Sequence, residues 1–271
     1  MSVDLAVVFD VAGTMLHMCR VAKDLATGSL LTDIVTTELV MEKRGRALVV
    51  PQVDPIEIVE SPPEEPFHTF FKEREDRIRI SCSSTPVSRD SVCSILRSSQ
   101  TRMAELQETY RAVSKRYSNF YKACGMVVDS ELREVSHVIS TGGVPFLGLK
   151  AVLRELRGMG AEIYIASGDS MQSLANLQGY TEIRMDHIYP VSTPRIKERI
   201  VIKLKESHEI VVMVGDGLND LYALRAADLG ILTVQQDTHP RKELFLAADR
   251  VIHDIEELPC ILAEIVGSAT T

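Results

Sequence analysis

Four short segments hold the side chains best suited to chemistry. They are Phe9-Asp10-Val11-Ala12-Gly13-Thr14, Ala166-Ser167-Gly168-Asp169, Pro194-Arg195-Ile196-Lys197 and Gly215-Asp216-Gly217-Leu218-Asn219-Asp220. Carboxylates, a hydroxyl, a lysine and glycines suit the handling of a phosphoryl group, whose displacement is mainly a matter of positioning and charge compensation. A carboxylate that attacks such a group meets repulsion. A hard divalent cation such as magnesium, held by oxygen ligands, removes that repulsion. Asp10 with Asp216 and Asp220 offers the carboxylates for it. A hydroxyl and a backbone amide at a helix start bind phosphate oxygens, and Ser167 and Gly168 can supply them. Lys197 adds positive charge for both nucleophile and phosphate.

Taken singly, each segment has a plainer reading. Gly13-Thr14 suits a turn and a cap, Ser167 and Asp169 are good helix caps, Gly215-Asp216-Gly217 suits a turn, and Lys197 suits a solvated surface. Their common placement argues otherwise. Each falls at the C-terminal end of an expected strand, the third just ahead of a helix, and open parallel sheets bind ligands there. Leu5–Phe9, Ile163–Ala166, Ile210–Val214 and Leu229–Val234 are continuous apolar runs, as parallel strands covered on both faces are. His187–Val191 and Arg250–His253 are shorter candidates. Between the runs, Val152, Leu153, Leu156 and Met159 share one helical face. Ile196, Ile200 and Leu204 recur every four residues, and Leu218–Ala227 and Ile255–Val266 suit further helices. This alternation predicts an α/β fold, a Rossmann-like parallel sheet with helices on both faces.

Residues 15–141 break the rhythm and read as an inserted α+β domain between 1–14 and 142–271. Ile34–Met41 and Arg46–Val50 suggest a hairpin around Arg44-Gly45. Pro51, Pro55, Pro62, Pro63 and Pro66 suggest irregular chain or an edge strand. A helical period runs from Val92 through Tyr117 and Phe120 to Cys124-Gly125, with a break at Ser98-Ser99. Met126–Val128 and Leu132–Ile139 suggest a second hairpin turning at Asp129-Ser130.

The composition, 45% hydrophobic and 25% charged, allows a full globular core. No apolar run approaches the length of a membrane span, and no basic patch precedes the first apolar run, so no signal peptide is expected. A net charge of −8 argues against a nucleic-acid partner. The five cysteines form no C-x-x-C pair and read as reduced thiols of a cytoplasmic protein. The seven scattered histidines read as non-catalytic, and none as a metal ligand.

Together the four segments resemble the haloacid dehalogenase superfamily, with its D-x-D-x-T, Ser/Thr, Lys and G-D-G-x-N-D motifs. Ser167-Gly168-Asp169, Pro194 three residues before Lys197, and Gly215–Asp220 are most similar to the T-G-D, P-x-x-K and G-D-G-x-N-D of P-type ATPases and their soluble relatives. Val144-Pro145-Phe146-Leu147-Gly148 resembles the lead-in to the second motif. The resemblance implies a magnesium-dependent phosphohydrolase or phosphotransferase acting on a small phosphorylated metabolite. Asp10 would be phosphorylated, and Lys197 would stabilise charge. Asp10, Asp216, Asp220 and the backbone carbonyl of Ala12 would bind magnesium, with Thr14, Ser167, Gly168 and Asn219 around the substrate. The insertion would be a cap that selects substrate and excludes water. No K-G-A-like nucleotide motif appears in it.

The main departure is Ala12, where most phosphatases of the family carry a second Asp that protonates the leaving group and activates water. Weak activity is one expectation. A phosphonatase, whose branch also reads D-x-A-G-T, is an alternative. It would need a cap lysine, for which Lys23, Lys43, Lys72, Lys115 and Lys122 are available. A non-enzymatic phospholigand sensor is another. Retention of Asp10, Lys197, Asp216 and Asp220 favours the enzyme.

Overall fold

The computed structural model describes residues 4–117, 120–236 and 240–269. In chain order the strands are β1 (Leu5–Phe9), β2 (Leu16–Asp24), β3 (Leu30–Thr32), β4 (Arg46–Pro51), β5 (Ile78–Ser83), β6 (Tyr121–Asp129), β7 (Glu134–Pro145), β8 (Glu162–Ala166), β9 (Ile188–Tyr189), β10 (Ile210–Gly215), β11 (Leu229–Thr233) and β12 (Arg250–Ile252). The helices are α1 (Thr36–Met41), α2 (Pro55–Glu60), α3 (Phe67–Phe70), α4 (Arg89–Ser98), α5 (Met103–Arg116), α6 (Leu149–Gly158), α7 (Met171–Thr181), α8 (Pro194–Leu204), α9 (Leu221–Ala226), α10 (Lys242–Phe245) and α11 (Leu258–Ala269). They group into two units. One is Met1–Met18, Pro145–Ser167 and Gln178–Thr271, and the other is Cys19–Val144 and Gly168–Leu177.

The first unit is built on β1, all five residues of which are buried. Such a strand needs partners on both edges and cover on both faces. It pairs in parallel with β8 on one edge and β10 on the other, within the order β12-β11-β10-β1-β8-β9. Ala6, Val8, Tyr164 and Met213 face one side, against Ile200, Val201, Leu204, Ala223 and Leu224 of α8 and α9. Leu5, Val7, Phe9, Ile163 and Ile165 face the other and are equally buried, and α6 lies against β8 and α11. The α/β expectation therefore holds. The strands that follow β1 in this sheet lie on both sides of it, so the C-terminal end of β1 is a switch point, where such sheets form a crevice.

The second unit is a six-stranded sheet in the order β3-β2-β7-β6-β4-β5. β4 runs antiparallel to β5 and β6, and β6 to β7. Phe67, Phe70, Phe71, Val92, Leu96, Met103 and Leu106 pack on Val49, Met126 and Val128.

Here several expectations are corrected. Thr36–Met41 is helix, not strand: the amides of Leu39 and Glu42 donate to Val35 O and Glu38 O at 3.1 and 2.9 Å, four residues back in each case. The partners of β4 are β5 and β6 instead. The proline-rich stretch contains α2 and α3. Asp54 caps α2 by accepting from the Ile56 amide, and Pro55 takes the first helical position. The helical period breaks at Ser98 as expected but stops at Arg116, and Tyr121 and Cys124 belong to β6. Tyr117, Phe120 and Cys124 mimic a helical spacing, while burial of every residue from Tyr121 to Asp129 is that of a covered strand. The turn at Asp129-Ser130 is present. Asp129 Oδ1 accepts from the amides of Glu131 and Leu132 at 3.0 and 2.9 Å, an Asx turn. Among the described residues no helix is long and apolar enough to cross a membrane.

Candidate active site

Asp10 sits one residue past β1, and its amide donates to Val214 O at 2.9 Å, prolonging the pairing with β10. The chain then turns sharply. Val11 O accepts from the amides of Thr14, Met15 and Leu16 at 3.3, 3.0 and 2.9 Å. Gly13 has φ +79°, and a Cβ there would lie 1.9 Å from Asp216 Oδ2, so both the turn and the close approach require glycine. Ala12 is half-buried and bridges to Leu16. Thr14 is fully buried, and its hydroxyl has no hydrogen-bond partner.

Lys197 lies in the first turn of α8. Thr193 caps that helix, its hydroxyl accepting from the Ile196 amide at 3.3 Å, with Pro194 at the first helical position. The fully buried ammonium of Lys197 donates to Asp10 Oδ1 and, at 2.6 Å, to Asp220 Oδ1. Asp220 Oδ2 accepts from the amides of Asp216 and Gly217, both at 3.2 Å. A Cβ on Gly215 would lie 2.6 Å from Asp220 Cγ, so the end of β10 must also be glycine.

Burying an ion costs several kcal/mol unless it is paired. Burial lowers the Lys197 pKa, but the charges of Asp10 and Asp220 outweigh it and hold the ammonium well above its ordinary range. Burial raises the Asp220 carboxyl, Lys197 pulls it down, and the charge of Asp10 pushes it up again. Two carboxylates thus face one ammonium, and a third, Asp216, lies beside them. Oxygens of Asp10, Asp216 and Asp220 lie within 4.8 Å of one another, and Asp10 Oδ2 is buried with no hydrogen-bond partner. An excess of hard anionic donors over the one ammonium fits a hard divalent cation.

Ser167 is one residue past β8. Since Phe9 pairs with Ile165, Ser167 ends up beside the Asp10 turn. Its amide donates to Tyr189 O and its carbonyl accepts from Ser192. The cap of α7 is Ser170, which accepts from the Ser173 amide at 3.1 Å, so Ser167 is not the cap. Gly168 groups with the second unit. Asn219 is half-buried in the turn between Asp216 and Asp220. Asp10, Lys197, Asp216 and Asp220 therefore converge, with Thr14, Ser167 and Asn219 on the adjoining turns.

Two residues just past β11 carry no motif in the sequence yet reach the chain that follows Asp10. Gln235 Nε2 donates to Thr14 O at 2.8 Å, and Gln236 brackets the backbone of Met18. Adjacent glutamines after a strand look like solvated polar residues, so no sequence signal marked them. Cys19, Cys82, Cys93 and Cys124 are buried and unpaired. Burial pushes the Cys82 thiol up to about 11 and Cys124 up to about 12, which makes them poor nucleophiles. His239 lies outside the described residues.

The family model for haloacid dehalogenase-like hydrolases matches residues 5–228. A soluble P-type ATPase-like phosphatase of Methanocaldococcus jannaschii is 30% identical over 263 residues, 97% of this chain and 94% of that protein. A probable copper-importing P-type ATPase A of Enterococcus hirae is 34% identical over 82 residues, 30% of this chain and 11% of that protein. A solved zinc-transporting PIB-type ATPase aligns with 99% of this chain and 42% of that one, at TM-score 0.49 and 18% identity. The match of a family model to most of the chain, and of a relative to nearly all of it, shows that this protein belongs to the haloacid dehalogenase-like hydrolase family.

Proposed function

We propose that this protein is a magnesium-dependent phosphatase or phosphotransferase that moves a phosphoryl group from a small phosphorylated metabolite to Asp10, and from there usually to water. The observation that carries this reading is the asymmetry of Asp10. Lys197 holds Oδ1, while Oδ2 is buried without a partner. Oδ2 is thus the oxygen with a lone pair to offer. It forms a bond to phosphorus as the bond from phosphorus to the leaving group breaks; the oxygen of water then bonds to phosphorus as the Oδ2–phosphorus bond breaks, and the protons of that water leave with the released phosphate. Bound by Asp10, Asp216, Asp220 and the Ala12 carbonyl, magnesium would screen the charge of nucleophile and phosphate.

The chain's own groups do the rest. Lys197 stays protonated, so it supplies fixed charge rather than acting as a base. Asp220 holds Lys197 and the Asp216-Gly217 backbone in register. Thr14, Ser167 and Asn219 would offer hydroxyls and a carboxamide to the phosphoryl oxygens. Ala12 offers no proton, so leaving groups that depart without one are favoured. The insertion, which leaves the first unit directly after the Asp10 turn, would serve as the substrate-selecting cap.

The test is phosphate release from nitrophenyl phosphate with and without magnesium, in wild type and Asp10→Asn. Release should need magnesium and vanish in the variant. Release that survives the substitution would overturn the assignment.

The phosphonatase alternative needs a cap lysine as free amine. Lys23 lies between Glu105 and Glu108, both at 2.6 Å, and the hydrogen bonds it donates to these carboxylates raise its pKa. Lys43 pairs with Asp129 at 2.7 Å. Burial lowers the pKa of Lys122, which makes it the residue on which that reading stands. Borohydride trapping of an aldehyde phosphonate on Lys122 would favour it.

A further inference from the structure

Val234, Gln235 and Gln236 follow β11, the strand next to β10, and Val234 is tied to β12 through its amide and Ile252 O at 2.9 Å. From this fixed base two side chains reach the backbone that follows Asp10. Gln235 Nε2 donates to Thr14 O at 2.8 Å, and its Oε1 accepts from the Ile255 amide at 3.1 Å. Gln236 Nε2 donates to Met18 O at 3.0 Å, and its Oε1 accepts from the Met18 amide at 2.8 Å. A carboxamide carries a donor and an acceptor side by side, as a peptide group does. Gln236 therefore satisfies Met18 as a neighbouring strand would, and Gln235 joins the Asp10 turn to the start of the last helical segment. Between them, Met15 O accepts from the Phe146 amide at 3.1 Å.

These bonds matter because of what Thr14 lacks. Its hydroxyl is buried without a protein partner, so no bond of its own fixes where that oxygen points. Its amide makes only a long 3.3 Å bond to Val11 O. The firm hold on Thr14 is at its carbonyl, and Gln235 supplies it.

We propose that Gln235 is a positioning residue for the Asp10–Thr14 turn, aiming the Thr14 hydroxyl at the phosphoryl oxygens, while Gln236 only anchors the outgoing strand at Met18. The role rests on the phosphoryl-transfer reading of the site. Misplacement by about 1 Å can cost about 10²-fold in rate, so a carbonyl clamp one residue long can matter to turnover.

Glutamate tests each position with little change of size. Gln235→Glu and Gln236→Glu each keep an acceptor oxygen and lose the N–H donor. Three quantities are measured on the full-length variants: amide hydrogen exchange of residues 10–18, kcat and KM for nitrophenyl phosphate with magnesium, and melting temperature. Both variants should speed exchange in that segment by about tenfold, the effect of losing one hydrogen bond. Gln235→Glu should lower kcat by about tenfold or more with KM within about twofold. Gln236→Glu should leave kcat within about twofold at a similar melting temperature. Unchanged exchange would overturn the clamp. Faster exchange in Gln235→Glu with wild-type kcat, or equal loss of kcat in both variants, would overturn the positioning role. A wild type that releases no phosphate would overturn the functional reading, and this role with it, whatever the exchange shows.

Discussion

Ala12 decides more about chemistry than any other side chain near Asp10, because a methyl group can neither give nor take a proton. General acid–base catalysis contributes about 10²–10⁴-fold. Alkyl phosphates, whose alkoxide leaves poorly without a proton, should therefore react slowly, and nitrophenyl or acyl phosphates faster. Ala12→Asp should raise alkyl phosphate turnover by about tenfold or more where the new carboxylate finds room. Single-turnover rates for an alkyl and a nitrophenyl phosphate in both forms check this. Equal rates for the two substrates in the wild type would mean that another group supplies the acid. Ala12 was legible in the sequence, since it stands at a motif position. Gly13 was legible only as a turn. Its contact with Asp216 depends on how closely two loops approach, which no local pattern encodes.

The element that most directly serves the site is α8, because its first turn delivers Lys197 to two carboxylates. Thr193→Ala removes the cap and should cost about 1 kcal/mol of stability. It should also lower kcat with magnesium by loosening Lys197, while Thr193→Ser should keep both. Urea unfolding and steady-state rates on the same preparations test the pair. In the second unit the tight turn between β6 and β7 depends on Asp129, whose side chain is 1% exposed. Burial raises its pKa, but Lys43 and the Leu132 and Glu131 amides outweigh that and hold it below the ordinary 3.8. A depressed carboxylate contributes stability above its unfolded value and loses it as pH falls through the folded one. Asp129→Asn should thus be less stable than wild type at pH 7 by about 1 kcal/mol, since Lys43 is 41% exposed and solvent screens the pair. The gap should close as pH falls below about 3.8. Melting curves of both proteins between pH 7 and pH 3 follow it. A gap that stays constant would rule out the charge as its source.

On the scale of the whole molecule, a ligand that binds only the native state raises stability by mass action. Beryllium fluoride with magnesium mimics a phosphorylated aspartate. At about 100 times its dissociation constant it should add about 2.7 kcal/mol, and hence raise the melting temperature. The shift should need both components and disappear in Asp10→Ala. A shift that survives in Asp10→Ala would place the ligand elsewhere.

The strands β1, β8, β10 and β11 and the residues at their ends were legible from sequence, for one physical reason. A strand buried on both faces must be apolar throughout, so the polar residue that ends it stands out, as Asp10, Ser167 and Asp216 do. Beyond those strands local pattern misled. Ile34–Met41 has the composition of a strand, yet it is packed as a helix whose Leu39 carbonyl accepts from Arg46 at 2.8 Å. The run through Tyr117 and Phe120 keeps a helical period into residues that β4 and β7 recruit as strand β6. Both outcomes depend on partners distant in the chain. So do Gln235 and Gln236, which reach Thr14 and Met18 across more than two hundred residues. The sequence by itself determined which residues can carry charge and a phosphoryl group. Only the tertiary structure decided that Lys197 stands between Asp10 and Asp220, leaving Asp10 Oδ2 buried and unpartnered, because that geometry comes from two separate strands and a helix packed into one core.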